Sequence, residues 1–418
     1  MAQQETIAVI GAGVIGSAVA CALALEGRRV LLMDRDAPGE AGASYGNAGH
    51  IATELLEPLP SPGLLFGFWR LLTAFDGPLH IPVRRVPAFL PWATRFASAA
   101  FRRDANTLHL APFVRPAADA LDAMLRDIGR PDLLQRRGHY ELWLNRGAHR
   151  RAAAQARVME KLEVPTAPAP ADLLDKARRA ARASEIAGLW FPKCAHVVDP
   201  LEVVRAFAST AARHGASVVR RNVRSLVTRG ESIEVVSGTD TIVVSHAVIC
   251  AGAWSADLLR PFGLKIPLEA ARGYHVEMPG AIPLIDAPIL YQDQSTFVTP
   301  MTGRLRSTSF MEFGGLDEPA NPRHPAQLRR TLIALGYPAD ALQGSWVGPR
   351  PVLPDYLPAI GRVADAPNVL YAFGHQHIGL TLSAMTARTV ADLVAARAPA
   401  PYVAAFDLRR FSQGAARN

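Results

Sequence analysis

Three glycines and an acidic residue near the start of the chain have the types and spacing needed to hold a dinucleotide. Gly11, Gly13 and Gly16 form a GxGxxG turn after an apolar, β-branched run, and Asp34 ends a second such run. The glycines permit a tight turn, approach of a pyrophosphate to unpaired helix N–H groups, and close packing of helix on strand. The acid accepts hydrogen bonds from a ribose. We therefore predict an adenine dinucleotide site whose phosphate-binding turn is Gly11, Ala12, Gly13, Val14, Ile15 and Gly16.

Arg350 is the side chain best suited to hold an anionic substrate. It lies between Pro349 and Pro351, which restrict the main chain around it. Its planar guanidinium matches a carboxylate through two parallel hydrogen bonds. A structural ion pair is the alternative use of the same residue.

Composition limits the classes of partner. A chain of 418 residues with 49% hydrophobic and 20% charged residues predicts two domains with large cores. The net charge of +8 comes almost wholly from scattered arginines, so we expect no nucleic-acid partner, although anionic substrates or an anionic membrane surface would be attracted. The three cysteines, Cys21, Cys194 and Cys250, are widely spaced. This spacing predicts neither disulfides nor a zinc site. It therefore favours a reducing compartment.

Residues 6–25 contain no charge, which is also typical of a membrane span or a signal peptide. The preceding residues carry Glu5 and no Lys or Arg, and glycines interrupt the run at the dinucleotide spacing. We therefore expect a cytoplasmic protein. His375 and His377 lack further ligands at a convincing spacing, so no metal site is predicted.

The remaining chain alternates helices and strands around one unusual segment. Amphipathic helices are predicted over 106–129, 148–160, 175–183 and 201–214, with a strand over 138–145 and a β-rich run over 216–250. Residues 58–103 are rich in Pro, Phe, Trp and Leu, and their prolines predict short helical pieces. This segment forms either a packed lid or domain junction, or a surface that enters a membrane interface.

Several motifs together resemble the flavin enzymes that include D-amino-acid dehydrogenase, glycine oxidase and sarcosine oxidase. They are GAGVIG, Asp34-Arg35, the loop SYGNAGH, the AGAW segment at 251–254, GPRP at 348–351 and the turn GHQHIGLT at 374–381. The resemblance implies non-covalently bound FAD. Besides the phosphate-binding turn and Asp34, it implies contacts from Arg35, Ser44, Asn47, Ala48, Gly49, His50, Val223, Ala251, Gly252, Trp254, Gly348, Arg350, Gly374, His375, Gly379, Leu380 and Thr381.

The resemblance also implies an α/β fold with two interleaved domains. A Rossmann-like FAD-binding domain would comprise 1–85, 195–264 and 345–418. A substrate-binding domain with an antiparallel or mixed sheet would comprise 86–194 and 265–344. The 374–381 turn would open a helix over 381–395, whose N-terminus stabilises negative charge on the flavin.

The implied reaction is oxidation of a D-amino or D-imino acid to an imino acid, with hydride passing from the α-carbon to flavin N5. Arg350 would bind the substrate carboxylate, and Tyr274 and Tyr291 would line the substrate pocket. His50 and His375 would add positive charge or a hydrogen bond near the ring. Cyclic D-imino acids such as cis-4-hydroxy-D-proline or D-proline are favoured over D-alanine.

The resemblance implies a quinone or other carrier, rather than oxygen, as the electron acceptor. A peripheral position on the inner face of the cell membrane would bring the protein to such an acceptor. Two alternatives remain: a secondary-amine oxidase of the sarcosine or glycine type, and a non-catalytic FAD subunit that relays electrons. Arg350 disfavours a relay, which needs no carboxylate clamp. The AGAW segment disfavours an NAD-dependent dehydrogenase.

Overall fold

The computed structural model describes residues 5–68, 72, 77–238, 240–280, 285–338 and 341–412. A mostly parallel sheet forms around β1 (Thr6–Ile10), an apolar strand that is buried along most of its length. The sheet order is β10 (Ser217–Arg220), β2 (Arg29–Asp34), β1, β14 (His246–Ile249), β21 (Ala366–Phe373) and β20 (Ala359–Val363). β20 pairs antiparallel with β21, whereas the other neighbours are parallel.

Three helices cover one face of this sheet. α1 (Val14–Leu25) follows β1 directly and packs against α8 (Pro200–Arg213) and α11 (Ser383–Val394). Asp199 caps the start of α8, where its carboxylate accepts a hydrogen bond from the Leu201 amide at 2.9 Å. The dinucleotide-binding unit predicted from the sequence thus has the expected elements.

A large mixed sheet lies beside the parallel one. Its order is β19 (Gln343–Val352), β15 (Glu269–Pro279), β18 (Arg304–Glu312), β17 (Thr296–Met301), β16 (Ile289–Tyr291), β6 (His139–Leu144), β8 (Ile186–Phe191) and β7 (Ala167–Pro168), and β4 (Leu79–His80) also pairs with β18. The α/β class with two sheets is confirmed. The residue division into domains stays a proposal, and β4 and β19 join the mixed sheet although the predicted division assigns most of their residues to the FAD-binding part.

Two small sheets complete the strands. One is a meander of β11 (Ser225–Arg229), β12 (Ser232–Ser237) and β13 (Asp240–Val244). The other joins β3 (His50–Ile51), β9 (Ala195–Val197) and β5 (Leu134–Gln135). This second small sheet brings the loop after β2 next to the chain that leaves the mixed sheet.

The other helices differ from the sequence expectations where proline or packing intervenes. In place of the single helix predicted over 106–129 the structure has two helices, because Pro116 separates them. The helix predicted over 175–183 begins earlier, and that predicted over 381–395 begins at Ser383. The remaining helices are α2 (Pro62–Gly67), α3 (Val86–Ala100), α4 (Arg103–Val114), α5 (Ala117–Asp127), α6 (Ala148–Lys161), α7 (Ala171–Ala180), α9 (Ser255–Leu259) and α10 (Arg323–Ala334).

The expectation that prolines divide residues 58–103 into short pieces is wrong for α3, which continues through Pro91. Buried Phe89 and Trp92 pack on Phe313, with ring centroids 4.5 and 5.1 Å away. This packing offsets the hydrogen bond that proline cannot donate. Part of the segment, residues 69–71 and 73–76, lies outside the described residues. Within the described ranges, no helix is both long and apolar enough to cross a bilayer.

Candidate active site

A cavity of about 730 Å³ runs between the parallel sheet and the mixed sheet. One end is lined by the turn after β1 and by Asp34, and the other by Arg350 and side chains of the mixed sheet. The carboxyl ends of parallel strands form the first wall, where ligands of such sheets bind. The arrangement therefore places the predicted dinucleotide motif and the predicted anion-binding arginine on one continuous surface.

The glycines of the first turn allow close packing around this end of the cavity. Gly11 has φ +105°, and a Cβ there would overlap the main chain at Cys250. A Cβ on Gly16 would overlap the Gly11 carbonyl, so α1 can approach β1 only with glycine at this position. Gly13 lines the cavity itself. These three positions behave as the spacing predicts.

Polar side chains already engage part of the turn. Asp34 accepts a hydrogen bond from the Ala12 amide at 2.6 Å, and the Ser44 hydroxyl accepts one from the Val14 amide at 2.9 Å. The expectation of unpaired N–H groups is therefore wrong for Ala12 and Val14. Asp34 also lines the cavity, so one carboxylate fixes the turn and faces the region where a ribose is expected.

The loop containing residues 44–49 is held in place by a buried arginine. Arg306 on β18 donates hydrogen bonds to the carbonyls of Tyr45, at 3.0 Å, and Asn47, at 2.9 Å. It is 1% exposed and pairs with Glu277 at 2.6 Å. Sequence reasoning missed Arg306, because it lies more than 250 residues away in the chain from the loop that it positions.

One part of the cavity wall combines an arginine and an aromatic ring. The Arg35 guanidinium carbon lies 4.1 Å from the centroid of the Trp254 ring. Val223, Ala251 and Gly252 line the same cavity. Together they form a surface suited to a flat heteroaromatic group.

The turn after β21 closes the opposite wall. Gly374 has φ +74°, and a Cβ there would overlap Leu353, which explains glycine at this position. His375, Gly379 and Leu380 line the cavity. Thr381 instead accepts a hydrogen bond from the Ala52 amide at 3.0 Å, so it ties the turn to the chain after β3.

Arg350 reaches the cavity from β19. Its Nη1 donates to the Phe310 carbonyl at 2.9 Å, and a Cβ on the neighbouring strand at Gly273 would overlap its guanidinium. In the part of the chain that the structure describes, no carboxylate lies within 4.0 Å of Arg350, so the alternative of a structural ion pair is not observed. Burial lowers the pKa of Arg350 from its usual value, because no carboxylate among the described residues offsets the loss of water around the guanidinium.

The chain matches known proteins over nearly its whole length. A model of the FAD dependent oxidoreductase family covers residues 6–393. The chain belongs to this family. The D-amino-acid oxidase of Bradyrhizobium diazoefficiens is 30% identical over 426 residues, covering 98% of this chain and 100% of that protein. The D-amino acid dehydrogenase of Paramagnetospirillum magneticum is 30% identical over 426 residues, covering 97% and 99%.

Solved structures agree on the fold. Glycine oxidase from Geobacillus kaustophilus has a TM-score of 0.77 at 20% identity, covering 97% of this chain and 99% of that one. L-proline dehydrogenase from P. horikoshii has a TM-score of 0.72 at 16% identity, covering 99% of both. The family model and this fold agree that the protein is an FAD-dependent oxidoreductase, an assignment that rests on the family match. The cavity fits FAD, since Gly13 and Gly252 expose main chain along it, and a Cβ on Gly252 would project where no protein atom lies within 4 Å.

Several predicted FAD contacts shape the wall of this flavoenzyme without lining it. Gly348 is an example, because the Trp346 ring occupies the space that a Cβ would need. The six such residues are Ala12, Gly16, Gly49, Gly348, Gly374 and Thr381. Direct contact with FAD remains a proposal for the residues that do line the cavity: Gly11, Gly13, Val14, Ile15, Asp34, Arg35, Ser44, Asn47, Ala48, His50, Val223, Ala251, Gly252, Trp254, Arg350, His375, Gly379 and Leu380.

The side chains of Tyr274 and Tyr291 point away from the cavity. This corrects the prediction that they line the substrate pocket. Tyr274 is 1% exposed, and its hydroxyl donates to Glu312 and accepts from the Asn321 amide. The Tyr291 hydroxyl lies 3.0 Å from that of Tyr337. Both face the opposite side of the mixed sheet, since side chains alternate along a strand.

His375 does not supply positive charge. Burial lowers its pKa to about 3, so the ring is neutral at neutral pH, and its Nε2 lies 2.9 Å from the Thr386 hydroxyl. His50 is also buried, which lowers its pKa, while Glu54 opposes that shift. His377, which the sequence analysis considered only as a metal ligand, lines the cavity. Desolvation inside the cavity and the charge of Arg350 lower the pKa of His377 from its usual value, although the side chain is exposed toward the cavity space.

Proposed function

We propose that this flavoenzyme oxidises a D-amino or D-imino acid to the corresponding imino acid. The observation that carries the proposal is Arg350, a guanidinium without a carboxylate partner among the described residues, at one end of the FAD cavity. Bound FAD supplies the acceptor for the hydride lost from the substrate α-carbon. The D configuration is supported by relatives named D-amino-acid oxidase and D-amino acid dehydrogenase, each 30% identical.

Arg350 orients the substrate. Its Nη1 is fixed on the Phe310 carbonyl, which leaves other N–H groups of the fork for a substrate carboxylate. Gly273 provides the space beside the guanidinium. A carboxylate held there has a defined direction, so its α-carbon and amine are presented to one region of the cavity.

His377 accepts the proton that the substrate ammonium must lose before oxidation. The lowered pKa keeps the imidazole neutral at neutral pH, so a ring nitrogen can take this proton and pass it to solvent. It lines the same cavity as Arg350. An acyclic product then hydrolyses to an oxoacid and ammonia, whereas a cyclic imino acid persists.

We further propose cyclic D-imino acids, such as cis-4-hydroxy-D-proline and D-proline, as favoured substrates, followed by D-alanine. The cavity that Arg350 lines is also lined by apolar Phe310 and Met311 and by polar Ser309 and Gln292. A five-membered ring carrying one hydroxyl matches such a mixed wall. FAD is bound non-covalently in this proposal. Cys250 lines the cavity at its phosphate-binding end, away from Arg350, and Cys21 and Cys194 do not line it.

The test is an anaerobic absorbance spectrum of the purified protein, recorded before and after each candidate substrate. We expect cis-4-hydroxy-D-proline or D-proline to bleach the flavin faster than D-alanine, and the L enantiomers to leave it oxidised. Bleaching by sarcosine alone would support the secondary-amine oxidase. Flavin that no amino or imino acid reduces would support the electron relay. Release of free FAD by acid precipitation tests non-covalent binding.

The electron acceptor proposed is a quinone or another carrier, reached from the cytoplasm at the inner face of the cell membrane. Large apolar side chains are exposed along residues 58–108: Phe66 at 86%, Val83 at 87%, Phe101 at 78% and Leu108 at 74%. Arg84 is also exposed within this segment. Apolar side chains beside basic ones are typical of surfaces that bind anionic bilayers. Turnover that is faster with a soluble quinone than with oxygen would support this acceptor.

A further inference from the structure

Four side chains with metal-binding chemistry meet beneath the wall of the FAD cavity. His50 begins β3, Glu54 follows four residues later, Cys194 precedes β9, and His139 begins β6. β3 pairs with β9, with His50 opposite His196, so these distant parts of the chain converge. All four residues are buried, between 0% and 8% exposed. Their possible ligand atoms lie within 4.8 Å of one another.

The separations suit a single ion. Glu54 Oε1 is 2.9 Å from His50 Nε2 and 4.0 Å from His139 Nε2, and Glu54 Oε2 accepts from the Cys194 thiol at 3.0 Å. Metal–ligand bonds of about 2.0–2.3 Å in a tetrahedral site place the ligand atoms roughly 3.3–3.8 Å apart. Small movements of these side chains therefore suffice to surround one ion.

The buried ring of His139 independently indicates that an ion binds here. It is 0% exposed, and among the described residues neither of its ring nitrogens has a hydrogen-bond partner. Its Nε2 lies near Glu54 and 3.8 Å from Glu141, too far for a hydrogen bond with either. Its ring stacks on Phe191 with centroids 4.5 Å apart, which holds the nitrogen in this direction. A buried nitrogen with no partner is costly unless something binds it.

Glu54 also needs a cation. In the described parts of the chain, the basic side chains within 4.0 Å of Glu54 are the imidazoles of His50 and His139, and no Arg or Lys pairs with it. Glu312 makes a useful comparison, because it is equally buried and also lies near two histidines. There the guanidinium of Arg272, at 2.7 Å, balances the carboxylate. The cluster around Glu54 has the ligands of a metal site and no guanidinium or ammonium group to replace the ion.

We propose that His50, Glu54, His139 and Cys194 bind a divalent cation of the zinc class. Thiolate, imidazole and carboxylate ligands are those of protein zinc sites. On binding, Cys194 releases its thiol proton to solvent, and one thiolate and one carboxylate balance the two positive charges. Because His50 also lines the FAD cavity, the ion fixes part of its wall. This proposal replaces the expectation from sequence that the protein has no metal site.

The test measures metal content in the purified, FAD-loaded enzyme. After growth with added zinc and dialysis against metal-free buffer, we expect about one zinc per chain by mass spectrometry. Cys194→Ala and His139→Phe should each lose the ion. Cys250→Ala, which alters another buried cysteine, and His324→Phe, which alters the cluster at Glu312, should retain it.

Cobalt substitution provides a readout in the unmodified enzyme, in case the variants fold poorly. Cobalt bound with a thiolate in tetrahedral geometry should give visible bands beyond the flavin absorption. The proposal is overturned if the wild-type enzyme binds neither zinc nor cobalt in the presence of a weak competing chelator. It is equally overturned if folded Cys194→Ala and His139→Phe retain the ion, since another site would then hold it.

Discussion

Arg350 is the residue on which substrate binding depends most directly. Hydrogen bonds to charged groups contribute about 1.5–3 kcal/mol each, so losing the pair costs on the order of 100-fold or more in affinity. We expect Arg350→Met to raise KM for the carboxylate substrate by about this factor, whereas the other residues that line the cavity keep FAD bound. Arg350→Lys should recover only part of the loss, since an ammonium cannot form the two parallel bonds. An unchanged KM in Arg350→Met would contradict the role.

Gly273→Ala tests the position of the same guanidinium without removing its charge. The added methyl group would overlap the end of the Arg350 side chain, which is flexible enough to move. KM should therefore rise while thermal stability changes little. Gly344→Ala, at a glycine of β19 with open space around it and φ +59°, should instead lower stability and leave KM unaltered.

His377 should affect the chemical step through its proton. A positioned base contributes about 10²–10⁴-fold, and a base whose pKa lies well below neutral contributes at the lower end, so His377→Asn should lower kcat/KM by about 10²-fold at neutral pH. The loss should shrink as pH rises, because the substrate amine then loses its proton in solution. Steady-state kinetics across pH would measure this rescue, and an equal loss at every pH would indicate a purely structural role.

At the scale of elements, strand β18 fixes the loop that precedes β3. Arg306 donates to two loop carbonyls, and Arg304 on the same strand donates to Glu277, at 2.9 Å, without a hydrogen bond to that loop. We expect Arg306→Met to weaken FAD binding by about tenfold or more, from the loss of charged hydrogen bonds. Arg304→Met should leave FAD affinity nearly unchanged. Fluorescence titration of the apoprotein with FAD measures both, and equal effects would contradict the proposed loop contact.

At the scale of the whole molecule, a buried ion pair makes the free energy of unfolding fall at acid pH. Burial alone would raise the pKa of Glu312, but the side chains of His324 and Tyr274 and the charge of Arg272 outweigh it and lower the pKa to about 2. Because the folded-state value is below the unfolded one, this stabilisation is full above about pH 4.5 and is lost as pH falls toward 2.

The expected contribution of Glu312 to the free energy of unfolding is on the order of 2 kcal/mol. Glu312→Gln should be less stable at neutral pH, since it leaves Arg272 buried without a counter-charge. It should also lose less stability than the wild type on acidification between those pH values. Denaturant unfolding at several pH values measures this, and parallel pH curves for the two proteins would contradict it.

The exposed apolar side chains along residues 58–108 are proposed to bind the whole molecule to a membrane. Fully burying a Phe side chain contributes about 1.5–3 kcal/mol. The double variant Phe66→Ser/Phe101→Ser should therefore bind vesicles of phosphatidylglycerol and phosphatidylethanolamine at least about tenfold more weakly. Val243→Ser, at an apolar residue 62% exposed on β13, is the matched control and should bind as the wild type. Vesicle flotation measures binding, and no binding by the wild type would contradict the proposed surface.

The sequence by itself determined the features whose cause is local. The GxGxxG turn, α1 and Asp34 could be predicted because glycine geometry and hydrophobic periodicity act over a few residues. Arg350 was recognisable for a similar reason, since flanking prolines and its position in a motif set it apart. The family resemblance, which the family model confirms, depends on the same short motifs.

Tertiary structure decided what depends on pairing between distant strands. The direction of Tyr274 and Tyr291 follows from the face that each strand turns to the cavity, which strand register sets. The contact of Arg306 with the loop joins residues more than 250 positions apart. His50, Glu54, His139 and Cys194 have no ligand spacing in the sequence, and only the pairing of β3 with β9 and the start of β6 bring them together. Such contacts arise from the packing of whole sheets, which no local pattern encodes.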